Sequence, residues 1–138
     1  MDLKLSHTFL NVHDIDLALA FYRDVLELDV HVDVVMDDFR WVTMSPKSQP
    51  DVEIGLMNPF VGPAAPDAEA VLALTLKGSM NGLIFATADV DADFEKIRAA
   101  GADVLQEPID QPYGVRDCAF RDPSGNMIRL SQSLPASR

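Results

Sequence analysis

The chain has 138 residues, enough for one domain with a core of its own and no need of disulfide or metal staples. Hydrophobic residues at 48% against 24% charged exclude a disordered chain. Acidic residues outnumber basic ones 22 to 11, and the resulting charge of -11 repels a phosphate backbone, which excludes nucleic acid as a partner.

The first predicted element is an apolar strand beginning at His7 (HTFLNV), followed by the acidic turn Asp14-Ile15-Asp16 and a helix over 15–27. Leu17, Phe21, Val25 and Leu28 recur at helical spacing, Ala18 and Tyr22 widen the stripe, and Asp14 or Asp16 suits the N-cap. The period then changes to two. Residues 29–36 (DVHVDVVM) alternate and put Val30, Val32, Val34 and Met36 on one face. After the Asp37-Asp38 turn, a strand over 39–45 puts Phe39, Trp41 and Thr43 on one face and Arg40, Val42 and Met44 on the other. Pro46 to Pro50 break the pattern, and a third strand over 51–57 turns Glu53 away from Val52 and Ile54. Residues 58–66 (NPFVGPAAP) form a proline-rich joint, and 67–77 a short helix stopped by Gly78. This joint reads as a linker, with a lid as the alternative.

The same order then returns. Residues 82–92 (GLIFATADVDA) match 7–17 at an offset of 75, and a second helix over 91–100 follows. Its expected cap is Asp91, its apolar side carries Phe94 and Ile97 with Arg98 near them, and Gly101 suits the left-handed position beyond its end. Strands are expected near 103–106, 115–121 and 127–132, with Pro108, Pro112 and Gly114 in a loop and DPSGN as a turn. At an offset of 76, Val42 and Met44 fall on Cys118 and Phe120, Arg40 on Arg116 and Glu53 on Arg129. The chain thus reads as α+β: two βαβββ modules, about 4–57 and 81–133, joined by 58–80 within a single domain over 1–138.

A tandem βαβββ repeat that opens on a strand histidine resembles the vicinal-oxygen-chelate superfamily, which includes glyoxalases, bleomycin-resistance proteins and extradiol dioxygenases. The stretches AFYRDVLEL, EKIRAAGADV and FRDPSGNMIRL carry the resemblance. It implies a glyoxalase-like, cup-shaped curved mixed sheet over essentially the whole chain. In metal-dependent members the first and last strand of each module supply a metal ligand, which the repeat assigns here to His7, Glu53, Gly82 and Arg129. Only His7 and Glu53 can ligate, because Gly82 has no side chain and a guanidinium has no lone pair to give. No metal or other cofactor is therefore expected, with a divalent metal on His7 and Glu53 as the alternative. A Glu53–Arg129 ion pair is expected in its place. Changing Gly82 to His and Arg129 to Glu is then expected to restore divalent affinity.

Further ligand-binding candidates are Trp41 and Phe39 as stacking surfaces, Tyr113 as a phenol beside Pro112 and Gly114, and Arg116 as a carboxylate partner or the mate of Asp117 or Asp122. Cys118 reads as a small core residue, and His13 and His31 as exposed. The function expected is metal-independent binding of a small molecule, resembling drug-sequestering bleomycin-resistance proteins. The alternative is a glyoxalase-like lyase or isomerase, either metal-free or metal-dependent. One cysteine, no long apolar run and no signal-like start predict a cytoplasmic protein without a membrane partner. Open sheet edges, and the subunit pairing common in the resembled family, predict a homodimer.

Overall fold

The computed structural model describes residues 1–62 and 65–136. Pro63 and Ala64, in the proline-rich joint, lie outside the described residues. The first module contains β1 (His7–Asn11), α1 (Ile15–Leu19, continued by a π-helical turn Ala20–Val25), β2 (Asp29–Met36), β3 (Phe39–Ser45) and β4 (Glu53–Met57). A 3-10 turn and α2 (Ala68–Leu76) follow. The second module contains β5 (Leu83–Ala86), α3 (Val90–Ala99), β6 (Asp103–Asp110), β7 (Val115–Arg121) and β8 (Met127–Ser133). Each module is one four-stranded mixed sheet, ordered β1-β4-β3-β2 and β5-β8-β7-β6. The first strand pairs in parallel with the last, and the other pairs are antiparallel. The fold is thus α+β, with two open sheets not closed into a barrel.

Each sheet carries a helix on one face, and those faces hold the core. Leu10, Val42, Met44, Ile54 and Leu56 pack under Ala18, Leu19, Phe21 and Tyr22. In the second module Cys118, Phe120 and Leu130 pack under Val90, Phe94 and Ile97. Val25, Leu26, Phe85 and Ala102 touch both clusters, so the two helical layers meet. Opposite the helices, each sheet keeps an open face.

Several local expectations change. The helix starts are capped by Asp14, which accepts from Leu17 N, and by Asp89 rather than Asp91, accepting from Ala92 N. Leu17 is about half exposed, because the helix buries Ala18 and Leu19 beside Phe21 and Tyr22 and leaves Leu17 at the edge of that face. Arg98 lies on the exposed side of α3, bonded to Glu95. Strand β6 runs through Pro108 to Asp110, which it tolerates as an edge strand with a ladder irregularity between Gln106 and Ile109.

The most consequential change concerns register. Glu53 lies opposite His7, and Gly55 lies opposite Phe9 and Thr43. Arg129 lies opposite Ile84 and Ala119, the repeat mates of Phe9 and Thr43. Arg129 is therefore the counterpart of Gly55, and Glu53 is the counterpart of Met127. The offset between the last strands is 74, and apolar alternation alone cannot distinguish it from 76, because a shift of two keeps every side chain on its face.

Candidate functional site

Residues of β1, β4, β3 and β2 that point away from α1 build the open face of the first sheet. At one end stands Glu53. Its Oε2 lies 3.0 Å from His7 Nε2, and its Oε1 accepts from the Thr43 hydroxyl at 2.6 Å. His7 Nδ1 in turn lies 3.0 Å from Ser6 Oγ. Thr43 is buried and Glu53 half-buried, so the carboxylate rests on the sheet with its outer edge in solvent. The Thr43 hydroxyl, with His7 and His31 adding to it, holds the Glu53 carboxyl below the usual glutamate value against partial burial. Glu53 is thus ionised at neutral pH.

Beyond Glu53 the same face is aromatic. The Phe9 and Trp41 rings lie 5.8 Å apart between centroids, and Trp41 and Phe39 lie 5.9 Å apart. Gly55 makes room for this shelf: a Cβ there would stand 2.6 Å from the Phe9 ring. Val34 and Met36 border it, opposite Trp41 and Phe39 across the β2–β3 ladder, and both are about half exposed. A depression of about 340 Å3 lies beside the shelf, lined by Phe9, Asn11, Trp41, Met57, Pro59 and Val61.

The sequence predicts an exposed His31. It is exposed, yet its Nδ1 lies 3.6 Å from Glu53 Oε1. A bulge between Val30 and Val32 leaves His31 out of the ladder and sets Val32 opposite Thr43. It also breaks the expected stripe: Val30 faces Met44 in the core, while Val32, Val34 and Met36 share the open face. A lone histidine in an alternating strand gives no sign of a bulge, so His31 had no signal in the sequence. His13 is half-buried rather than exposed, with Nδ1 2.7 Å from Ser124 Oγ.

The open face of the second sheet is polar at its centre. The Asp117 side chain is buried, and it takes Arg129 Nη1 at 3.1 Å, Gln106 Nε2 at 2.8 Å and Gln111 Nε2 at 3.0 Å. Gln106 Oε1 accepts from Arg129 at 3.0 Å. Burial alone would push the Asp117 carboxyl up, but the hydrogen bonds from Gln111 and Gln106 and the Arg129 guanidinium overcome it and hold the group below the usual aspartate value. The expected Glu53–Arg129 pair is therefore replaced by two separate clusters: Glu53 with two imidazoles on one sheet, and Arg129 with Asp117 on the other. Tyr113 is largely exposed, with its hydroxyl 3.5 Å from Asp117. Arg116 is in neither cluster. It bonds Asp91 and Asp110 near the start of α3, not Asp117 or Asp122. Cys118 is buried, and burial pushes its thiol up to about 11.

The Glyoxalase/Bleomycin resistance protein/Dioxygenase superfamily model matches residues 4–130. The chain belongs to this superfamily. Among solved structures it is similar to UcmS2, with 35% identity, a TM-score of 0.84, and 95% of this chain and 98% of that one covered. It is also similar to TnmS3, an antibiotic binding protein from Streptomyces sp. CB03234, with 29% identity, a TM-score of 0.74, and 96% and 97% covered. A probable lactoylglutathione lyase from Synechocystis is 29% identical over 139 residues, covering 94% of this chain and 95% of that protein.

For a superfamily whose metal-dependent members use the first and last strand of each module, the residues here do not fit a divalent ion. With the corrected register, Glu53 is matched by Met127 and Gly55 by Arg129; of the first- and last-strand positions only His7 and Glu53 offer hard donors, both from the first module. Gly82 has neither a side chain nor space for one, since a Cβ there would stand 1.7 Å from the Met127 carbonyl oxygen. The Gly82→His change that would complete a site therefore cannot be accommodated, which withdraws that expectation. Among the described residues no three His, Cys, Asp or Glu side chains are arranged to hold a metal. No helix among the described residues is long and apolar enough to cross a membrane.

Proposed function

We propose that this protein binds a planar aromatic small molecule on the open face of its first sheet and releases it unchanged, without a metal. The observation that carries this reading is the shelf of Phe9, Trp41 and Phe39 running up to the ionised carboxylate of Glu53. An exposed aromatic surface beside one fixed polar anchor is the make-up of a small-molecule site: the rings supply area, and the anchor supplies orientation. The likeness to an antibiotic binding protein supports the same reading. We further propose that the protein works in the cytoplasm as a homodimer, the second copy covering the shelf and turning an open face into a cleft.

The test is equilibrium dialysis of the intact protein, treated with chelator, against a set of planar aromatic compounds, with the ligand recovered and analysed. Stoichiometric binding with unchanged ligand is expected, and Trp41→Ala should weaken it at least about tenfold. Binding untouched by that change would remove the shelf from the site. The 3.0 Å contact between His7 and Glu53 favours one second reading, a metal-free enzyme in which this pair moves a proton. In that case the recovered ligand is chemically changed and the conversion survives chelator.

A further inference from the structure

The hydrogen-bonding inventory around Glu53 is incomplete in one place. A carboxylate offers about four lone-pair sites and no donor. His7 uses one on Oε2, and the Thr43 hydroxyl uses one on Oε1. The proton positions follow from the partners: His7 Nε2 faces the carboxylate and carries hydrogen, so its Nδ1 accepts from Ser6. His31 Nδ1 also faces the carboxylate, which favours the tautomer with hydrogen on Nδ1. Yet it stops 3.6 Å from Oε1, too far for a hydrogen bond. An imidazole N–H and a free carboxylate lone pair thus stand side by side at the edge of the aromatic shelf, close enough for one atom beside them to reach both.

We propose that His31 is a specificity-determining residue of the ligand site, and that a hydroxyl group carried on the aromatic ring system of the ligand bridges His31 and Glu53 from the solvent side. The inference rests on the reading of the face given above and adds the chemistry of the ligand. Only a group that both donates and accepts satisfies both sides. A hydroxyl gives its hydrogen to Glu53 Oε1 and takes the His31 N–H on its oxygen. An ammonium group can only donate, which leaves it facing the imidazole N–H. An ether or carbonyl can only accept, which sets its lone pairs against the carboxylate. A phenol beside an ionised carboxylate stays neutral, so the recognition carries no demand for a charged ligand.

The two modules share a bulge here but not the residues it presents. Both second strands bulge at the same place, between Val30 and Val32 and between Val104 and Gln106. In the second module the bulge brings Gln106 onto the open face, where its amide and carbonyl are both taken by Asp117 and Arg129. In the first module His31 is the bulged residue, and among the described residues its Nδ1 has no hydrogen-bond partner, the nearest acceptor being Glu53 Oε1 at 3.6 Å. By the ladder, Gln106 matches Val32 and His31 matches Leu105, so the polar group that closes the second network has no counterpart on the first sheet, and His31 is particular to the first module.

The probes are 2-naphthol and its methyl ether, 2-methoxynaphthalene, in equilibrium dialysis at pH 7 with the intact protein. The naphthol should bind about tenfold tighter than the ether, the size of one hydrogen bond to a charged group. His31→Ala should bring the two to near-equal affinity and leave the ether within about twofold of its original value. His31→Gln, which keeps an N–H donor, should retain a clear preference for the naphthol and guards against a folding artefact in the alanine variant. A preference that survives His31→Ala overturns the assignment of His31. Equal affinity of the two probes for the unmodified protein overturns the hydroxyl assignment and leaves the proposed function standing. Failure of both probes to bind overturns the reading of the aromatic shelf, and this inference falls with it.

Discussion

At the scale of single residues, the repeat has kept its scaffold contacts and diverged in its open-face chemistry. Arg40 binds Asp16 and Asp33, while Arg116 binds Asp91 and Asp110, so each module ties its third strand to the start of its helix in the same way. The open faces share nothing comparable: Glu53 sits at one end of the first, and Arg129 with Asp117 at the centre of the second. Asp117 shows what that cluster contributes. Its carboxyl is held below its ordinary value, so the stabilisation is present above the unfolded aspartate range, near pH 4, and is lost as pH falls through the lower folded value. Asp117→Asn should therefore cost about 2 kcal/mol in urea unfolding at pH 7, by leaving Arg129 and the glutamines with a weaker partner. The difference between the two proteins should shrink as the pH drops below about 4. A difference that stays constant down to pH 2 would show that the contribution is packing alone.

At the scale of elements, the first helix is where the modules differ most. The helix of the second module, α3, is regular and ends on Gly101 at φ 92°, whereas α1 widens into a π-helical turn and ends on Glu27 at φ 62°. The left-handed conformation disfavours a side chain with a Cβ, and the chain holds it through Leu28 N–H bonding to the Tyr22 carbonyl at 3.0 Å. Glu27 also pairs with Lys96 on α3, a contact between exposed side chains that adds little. Glu27→Gly should thus stabilise the protein by about 0.5–1 kcal/mol, the relieved strain exceeding the entropy cost of glycine in the unfolded chain. The readout is a small rise in Tm. A fall would show that the Lys96 pair outweighs the backbone strain.

At the scale of the whole molecule, the modules are joined by buried polar bonds as well as by apolar contact. The Tyr22 hydroxyl donates to Asp122 at 2.6 Å, and the Asn126 amide donates to the Asn11 carbonyl at 2.8 Å. Burial first, and then the neighbouring Asp122 carboxylate, push the Tyr22 phenol far above its usual value, so it stays protonated as a donor. This packing uses the helical faces and leaves both open faces to solvent, with Phe9, Met36 and Ile84 about half exposed or more. Contiguous exposed apolar surface on a sheet marks a surface that meets something else. Sedimentation at micromolar concentration should accordingly show a species near twice the 15.1 kDa chain mass. A monomer alone would remove the second copy from the proposed site.

Alternation, helical spacing and an internal repeat are local patterns, and they were enough to place the two modules, the eight strands and the superfamily resemblance. They also put Phe39, Trp41 and Thr43 on one face, because strand period is a property of the backbone itself. What they left open is whatever depends on which residue lies across from which. A shift of two residues in the last strand preserves the pattern, so only the paired sheet could show that Arg129 matches Gly55 and not Glu53. A bulge inserts one residue without a compositional mark, so only the ladder could bring His31 to Glu53. The partners of Glu53, Arg129 and Arg116 were decided in the same way. Charge type says that an ion pair is available, but distance in the folded chain selects the partner, because each candidate had several opposite charges of nearly equal claim.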